Sequence, residues 1–193
     1  MAGSSLVPQQ RFVAGERKGS EALRLTICGA LVLLGSSVLV GWFLQIEPLK
    51  SVIPGMATMK ANTAWCFILA GLGLATIGRN SAGRWVATAC ALLILATALL
   101  TLAEYASRRS LGIDELLIAD RGSLRGSGHP GRMSPLTALA WSALAPAMLL
   151  LAWSRRRSGI ILAGALALAI GFAAFLAAAG YAFGAEAFWG IGG

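Results

Sequence analysis

Charged side chains are scarce in this chain. Only 12% of its 193 residues are Asp, Glu, Lys or Arg, whereas a soluble domain of this size carries roughly twice that share. Apolar residues make up 57%, and the mean hydropathy is +0.74. The few charges are grouped, so long stretches carry none. This pattern indicates a membrane protein and argues against a soluble enzyme.

Residues that support catalysis or bind metals are equally few. His129 is the only histidine and lies in a Gly-rich segment, so no His-based metal site can form. Cys28, Cys66 and Cys90 are expected to be buried free thiols, in preference to a disulfide or a metal site. We therefore predict no catalytic residues, no metal and no cofactor. No charge lies near the middle of any apolar stretch, which argues against an ion-coupled transporter or proton relay.

Five apolar segments have, or nearly have, the length of about 20 residues that a transmembrane helix needs. They are residues 22–44, 61–77, 85–105, 135–153 and 160–183. Because lipid tolerates only backbone whose polar groups are satisfied, these segments must be helical. We expect an all-α membrane protein, a bundle of about five transmembrane helices within residues 22–193. Residues 1–21 are expected to form a loose cytoplasmic tail.

The basic residues predict the orientation. With the N-terminus in the cytoplasm, the inner side holds nine basic and two acidic residues, and the outer side holds seven basic and six acidic ones. The short inner turns carry Arg and no acid, as the positive-inside rule requires. Trp42, Trp65 and Trp189 then lie near the outer boundary, and Trp85 and Trp153 near the inner one, as an aromatic belt. The C-terminus is therefore expected on the outer side of the membrane.

The high pI of about 10.5 is also explained by the basic residues on the cytoplasmic side. Basic residues retained on the cytoplasmic side attract anionic lipid headgroups. No basic patch interleaved with aromatic residues accompanies them, so we predict no nucleic-acid partner.

The longest outer loop is residues 106–132. Its first part could form a short amphipathic helix over residues 111–118, with Asp114 as N-cap.

Two stretches match, Met59-Lys60-Ala61-Asn62-Thr63-Ala64 and Met133-Ser134-Pro135-Leu136-Thr137-Ala138. Each reads Met-x-x-x-Thr-Ala and precedes a long apolar run, and the two lie 74 residues apart. The preceding helices end in Gly41-Trp42 and Glu104-Tyr105, and the fifth ends in Gly180-Tyr181. We expect repeated helix-pair units, with a third unit whose Met signature and sixth helix do not lie within these 193 residues.

The signature has a structural and a functional interpretation. In the structural one, Asn62 or Thr63 and Ser134 cap helix N-termini, Pro135 is the first helical residue, and Met59 and Met133 pack outside the first turn. In the functional one, two helix N-termini with Lys60 and Arg132 frame an outward pocket for an anionic or amphiphilic ligand. The structural interpretation is favoured. The signature residues Met59, Asn62, Thr63, Met133 and Thr137 are the candidate site in either case.

Two further features concern helix ends and helix contacts. Glu104 closes the third helix and is expected to be solvated at the membrane boundary and paired with Arg108 one turn on. The alternative is that it lines a pocket. Ala165, Ala169, Ala173 and Ala177 form a stripe on the fifth helix, and Ser37 and Gly41 lie four apart on the first. Such spacing permits close helix contact, and it predicts that the fifth helix lies inside the bundle.

Residues 49–64, 111–117 and 129–133 resemble an uncharacterised bacterial family. It is the multi-pass membrane region found at the N-terminus of many sensor proteins, ahead of PAS and histidine-kinase or GGDEF modules. The resemblance spans roughly residues 25–193 and implies a membrane-embedded input module that acts as a dimer or with other signalling subunits. Kinase or cyclase activity implied by the family would lie in domains absent from this chain. The alternative is a structural or assembly subunit of a membrane complex.

Overall fold

A computed structural model of the chain describes residues 6–50, 58–112, 114, 118 and 131–182, and of residues 6–18, 181 and 182 only the backbone. This part of the chain is helical and contains no strand. The helices are α1 (Leu6–Phe43), α2 (Glu47–Lys50), α3 (Ala61–Thr76), α4 (Ser81–Ser107), α5 (Pro135–Trp153) and α6 (Arg157–Ala182). The expected segments agree with α3 to α6 within four residues at each end. His129 and the segment after residue 182 lie outside the described residues.

The first helix is longer than the sequence predicted. Residues 1–21 were expected to form a loose tail, but α1 begins at Leu6. Pro8 lies in the first turn, where a helix has no need of a backbone donor, so it does not interrupt α1. The following residues include good helix formers such as Ala14, Glu16 and Lys18. The polarity of residues 1–21 did not indicate a loose tail, because a helix formed by the apolar residues after them can extend towards the N-terminus through polar residues.

Local signals explain the other helix boundaries. Asn80 caps α4 by accepting a hydrogen bond from the backbone N–H of Gly83 at 2.7 Å, and α4 ends where Arg108 takes a left-handed conformation. Ser134 caps α5 by accepting from Thr137 N–H at 3.2 Å, and Pro135 follows as the first helical residue. The predicted cap of the second signature is therefore confirmed.

Consecutive long helices pack against one another in chain order: α1 on α3, α3 on α4, α4 on α5 and α5 on α6. A smaller contact joins α3 to α5, so α3, α4 and α5 surround a common core that includes Cys66, Ile94 and Trp141. Trp141 meets Phe67 edge-on with ring centroids 5.2 Å apart. The three cysteines are buried and free, as expected. The two helices at the ends of the row, α1 and α6, leave large apolar faces uncovered.

Four of the described helices are long and apolar enough to cross a membrane, as in a multi-pass membrane protein: residues 19–43 of α1, and α4, α5 and α6. The fifth expected span, α3, has 16 residues and a length of about 24 Å at 1.5 Å per residue. The hydrocarbon core of a bilayer is about 30 Å thick. Length alone therefore supports four spans and leaves α3 short.

Glycine allows α1 and α3 to approach closely. A Cβ added at Gly35 of α1 would collide with the carbonyl oxygen of Ala64, and one added at Gly71 of α3 would lie 2.7 Å from the carbonyl oxygen of Cys28. The sequence pointed instead to Ser37 and Gly41. Gly41 packs on Leu49 of α2, and the Ser37 hydroxyl donates to Leu34 O within its own helix.

The position expected for α6 was wrong. Its Ala stripe predicted a place inside the bundle, but α6 packs only on α5 among the described helices. Leu168, Phe172 and Phe175 are 77%, 64% and 67% exposed. Small side chains permit close contact, but they do not ensure that a second helix is there to make it.

Candidate functional site

The two signatures occupy the same positions at the starts of α3 and α5. In each copy Met is the second residue before the helix, Thr is the third helical residue and Ala is the fourth. Met133 is 1% exposed and joins the core with Ala138, while Met59 packs against the cluster that contains Ala64. This is the arrangement of a hydrophobic staple, in which an apolar residue ahead of the helix contacts the fourth helical residue. We call the end of the bundle that holds both signatures the signature end.

The capping prediction fails for the first copy. Lys60 is the residue before α3, and it makes no side-chain cap. Thr63 lies inside the first turn, and the Asn62 side chain turns away to donate to the backbone oxygen of Asp114 at 3.4 Å. A lysine has no acceptor atom for a helix N–H, so Lys60 does not supply to α3 the cap that Ser134 supplies to α5.

Each Met carbonyl accepts a hydrogen bond from an aromatic side chain at the end of the preceding long helix. Trp42 Nε1 donates to Met59 O at 2.9 Å, and the Tyr105 hydroxyl donates to Met133 O at 3.1 Å. A cation lies over each ring: Lys60 Nζ is 5.9 Å from the Trp42 centroid, and the Arg132 guanidinium is 5.2 Å from that of Tyr105. The two signatures thus share an aromatic–Met contact as well as a sequence pattern.

Trp42 also lies close to a second lysine. Lys50 Nζ is 4.6 Å from the ring centroid, and the same ammonium donates to Gln45 Oε1 at 2.8 Å and to Glu47 Oε1 at 2.7 Å. Trp42 is only 2% exposed. The expected role of Trp42 in an exposed aromatic belt is therefore wrong, because its indole is enclosed by α2 and the start of α3. Trp85 and Trp153 at the opposite end are 64% and 45% exposed, as such a belt requires.

A buried ionic cluster lies beside the second signature. Arg132 Nε donates to Asp114 Oδ2 at 2.6 Å, and its Nη2 lies 3.3 Å from Glu104 Oε2. Glu104 Oε1 accepts from the backbone N–H of Leu111 at 2.6 Å. Glu104, Asp114 and Arg132 are 0%, 3% and 2% exposed. Buried charges are tolerated only when they are paired and hydrogen-bonded, so this cluster ties the loop after α4 to the start of α5.

Glu104 was expected to be solvated and paired with Arg108. It is instead fully buried and pairs with Arg132, 28 residues away in the chain. The helix ends at Arg108, which has a left-handed backbone conformation. A pair between Glu104 and Arg108 needs regular helix up to Arg108, so it does not form. Asp114 was expected to cap a surface helix, but its carboxylate binds Arg132. Much of residues 111–118 lies outside the described residues.

Burial raises the pKa of the Asp114 carboxyl from 3.8 to about 6. The Arg132 guanidinium opposes this rise, and the neighbouring Glu104 carboxylate adds to it. The cluster holds two carboxyl groups and one guanidinium. The two carboxyl groups therefore share a single guanidinium.

A cavity of about 780 Å³ opens between α3, α5 and α6 at the signature end. Both signatures contribute to its wall, through Met59 and Thr63 on one side and Met133 and Thr137 on the other. Lys60 and Arg132 lie at the same end of the wall. Deeper along the helices the wall is apolar, with Phe67, Trp141 and Leu144 facing one side and Ala169, Ala173 and Ala177 of α6 the other.

The structure brings all six predicted site residues into one region. Met59, Thr63, Met133 and Thr137 line the cavity. Asn62 and Glu104 do not, but they hold Asp114 and Arg132 in the cluster beside it. Sequence reasoning missed Trp42, Tyr105 and Asp114 as parts of this site. The shared aromatic position before each signature was a signal for the first two.

Among the described residues, no group of three His, Cys, Asp or Glu side chains is arranged to hold a metal ion. Comparison of the chain with models of known protein families, with curated proteins and with solved structures finds no match. A functional assignment for this protein therefore depends on the residues of the chain itself.

Proposed function

We propose that this chain is the membrane-embedded input module of a bacterial signal-transduction protein and has no catalytic residues of its own. The observation that carries the proposal is the convergence of the two signatures on one cavity. Duplicated helix starts that enclose a pocket can couple its occupancy to the relative position of the helices. The resemblance of residues 49–64, 111–117 and 129–133 to the membrane regions of sensor proteins supports the same role.

In this proposal the protein lies in the bacterial inner membrane with five spans. The N-terminus is cytoplasmic, and the signature end faces outward. The distribution of Arg residues supports this orientation. The short α3 is accommodated because it is enclosed by α1, α4 and α5, and local thinning of the bilayer offsets its length. Effector domains lie on a longer chain or on a partner subunit, and the module acts as a homodimer or with other signalling subunits.

The reading frame that encodes the chain provides a first test. A frame that continues past Gly193 into a further helix and a PAS, kinase or cyclase module supports an input role. A stop codon at that point rules out an effector on the same chain and favours a subunit of a complex.

A functional test uses the cavity wall in the full-length protein. Ala173→Leu should change effector output, measured as autophosphorylation or cyclic-dinucleotide synthesis, because it fills the cavity between α5 and α6. Ala178→Leu is the matched control, since Ala178 is exposed on the same helix and does not line the cavity. Equal output from both variants and the wild type would contradict the proposal.

The exposed face of α6 favours a second candidate, a structural or assembly subunit. Phe172 and Phe175 leave a wide apolar face for another protein or for lipid. Cysteine cross-linking in native membranes distinguishes these cases. Phe175→Cys should form a defined cross-linked product if α6 is an assembly face, whereas Leu99→Cys on α4, which is 51% exposed, should not. No defined product from either position would contradict the assembly role.

A further inference from the structure

Arginines gather at the end of the bundle opposite the signatures. Arg24 lies there, because its guanidinium donates to the backbone oxygen of Ile77, which follows α3, at 2.7 Å. Among the described residues, the only ion pair at this end joins Arg24 to Glu21 at 3.9 Å. No carboxylate of the described chain pairs with the other arginines of this end, which are Arg79, Arg84, Arg155, Arg156 and Arg157. We call this end the arginine end.

Tryptophan contacts join the two turns that carry these residues, one between α3 and α4 and one between α5 and α6. Trp153 Nε1, at the end of α5, donates to Thr88 Oγ1 of α4 at 2.7 Å. Its ring meets that of Trp85 edge-on, with centroids 5.1 Å apart. Arg155 follows Trp153 by two residues, which places its backbone within about 7 Å of that of Trp153. The basic residues of both turns therefore border one surface.

Arg84 is the best placed of these residues to bind an anion. Its guanidinium carbon lies 5.2 Å from the centroid of the Trp153 ring, and its side chain is partly buried. Contact with an aromatic face holds a guanidinium in place but leaves its charge and its N–H donors available. In the described part of the chain, no carboxylate or carbonyl accepts from these donors. A guanidinium held in this way can donate two parallel hydrogen bonds to a phosphate.

The surface beside Arg84 changes from basic to apolar along the helices. Trp85 and Trp153 are largely exposed, and exposed indoles of membrane proteins lie at the level of the lipid headgroups. Val86 of α4 and Leu151 of α5 are exposed next to them. A phospholipid has the same order of groups, a phosphate followed by acyl chains. Free phosphate has no group that would contact the apolar part.

We propose that Arg84 and the segment Arg155-Arg156-Arg157 form one binding site for the phosphate of an anionic phospholipid. The acyl chains of this lipid lie along Val86 and Leu151. The general attraction of basic residues for anionic headgroups acts on every lipid of the leaflet, whereas this site holds one lipid between two turns that Trp153 brings together. The inference does not depend on the proposed input function, because neither the cavity nor an effector takes part.

Binding is tested with the chain purified in dodecyl maltoside and titrated with phosphatidylglycerol, with bound lipids counted by native mass spectrometry. The first phosphatidylglycerol should bind roughly tenfold more tightly than the second. It should also bind roughly tenfold more tightly than phosphatidylcholine with the same acyl chains, whose choline cation offsets its phosphate. Successive phosphatidylglycerols of equal affinity overturn the proposal, since diffuse attraction has no single site. Displacement of the lipid by an equal concentration of inorganic phosphate would show a site for free anions and contradict the assignment to a lipid.

Variants of equal charge separate the site from diffuse attraction. Arg84→Gln should weaken binding of the first lipid roughly tenfold. Arg79→Gln removes the same charge from an exposed position at the same end and should weaken it less than about threefold. Trp153→Leu retains every charge, yet it should weaken binding roughly fivefold because Arg84 loses the ring that holds it. Equal losses in Arg84→Gln and Arg79→Gln refute the site.

A third variant changes only exposed side chains, so that folding is spared. Arg155→Gln, Arg156→Gln and Arg157→Gln combined should weaken binding of the first lipid roughly tenfold or more. The control combines Arg108→Gln and Arg109→Gln, exposed positions after α4 at the signature end, and should leave the affinity unchanged. Unchanged affinity in the triple variant, or an equal loss in the control, contradicts the proposal.

Discussion

Arg132 is the residue on which the signature end most depends. Its guanidinium meets Asp114, Glu104 and the Tyr105 ring, and all three come from sequence positions that are not adjacent to it. Removing one partner of a buried ion pair leaves an uncompensated charge, which costs about 3–5 kcal/mol. We therefore expect Arg132→Met to destabilise the protein by that amount, as measured by unfolding in detergent micelles.

A combined variant provides the control for this prediction. If Glu104→Gln and Asp114→Asn are added to Arg132→Met, no charge remains in this cluster and most of the lost stability should return. Arg109→Met, at an exposed position in the same loop, should change stability by less than about 0.5 kcal/mol. A triple variant no more stable than Arg132→Met would contradict the buried-charge explanation.

Asp114 gives the stability of the protein a dependence on pH. The pKa of its carboxyl is about 6 in the folded protein and near 3.8 in the unfolded chain. A carboxyl whose pKa is raised by folding favours the folded state most below its unfolded pKa, and this contribution is lost as pH rises through the folded value. The stability of the wild type relative to Asp114→Asn should therefore fall between about pH 4 and pH 6 and stay constant above. A constant difference across this range, measured by thermal unfolding, would contradict the assignment.

The Met residues of the signature allow its two interpretations to be separated. Met59→Leu and Met133→Leu conserve volume, so each should cost less than about 1.5 kcal/mol if these side chains only pack. The input-module proposal adds a second expectation, since both residues line the wall of the cavity. The effector output of the full-length protein should change in Met133→Leu while stability changes by no more than this amount. Unchanged output in both variants would favour packing alone.

At the scale of helices, the contact between α1 and α3 depends on glycine. Gly35→Leu should destabilise the pair by about 1–3 kcal/mol, because its Cβ has no space against the Ala64 carbonyl. Gly29→Leu on the same helix is the matched control, since nothing lies within 4 Å of a Cβ added there. Unfolding measurements in detergent compare the two. A larger loss for Gly29→Leu would show that α1 packs elsewhere.

The helix predictions succeeded where local chemistry decides the boundary. Residues 135–153 were predicted without error because Ser134 and Pro135 are unambiguous start signals. The start of α1 was missed by 16 residues because no such signal precedes residue 22, and helix extends back through polar sequence. The position of α6 inside the bundle was predicted wrongly, because its stripe of Ala residues is equally compatible with a helix contact and with a cavity wall.

For the whole molecule, the number of spans depends on whether α3 crosses the membrane. Cysteines introduced at Leu44 and Ser81 flank α3, and both positions are exposed. If α3 spans, a membrane-impermeant maleimide should label Leu44→Cys on intact spheroplasts and Ser81→Cys only after permeabilisation. The three native cysteines are buried and contribute little labelling. Labelling of both positions from one side would reduce the number of spans to four.

Orientation is tested by the same chemistry at a second pair. Ser110→Cys lies after α4 and Ser158→Cys at the start of α6, and both positions are exposed. The Arg distribution predicts that Ser110→Cys is labelled from outside and Ser158→Cys from the cytoplasm. The reverse pattern would place the signature end, and with it the cavity, on the cytoplasmic side.

The sequence by itself determined the helical architecture, the positions of most helices and the equivalence of the two signatures. These properties follow from hydropathy, capping residues and spacing, which act over a few neighbouring residues. Only the tertiary structure decided that Glu104 pairs with Arg132, that Trp42 and Tyr105 hold the two Met carbonyls, and that both signatures enclose one cavity. These contacts join residues 17 to 28 positions apart, or different helices, and depend on how the helices pack. No local pattern specifies that packing.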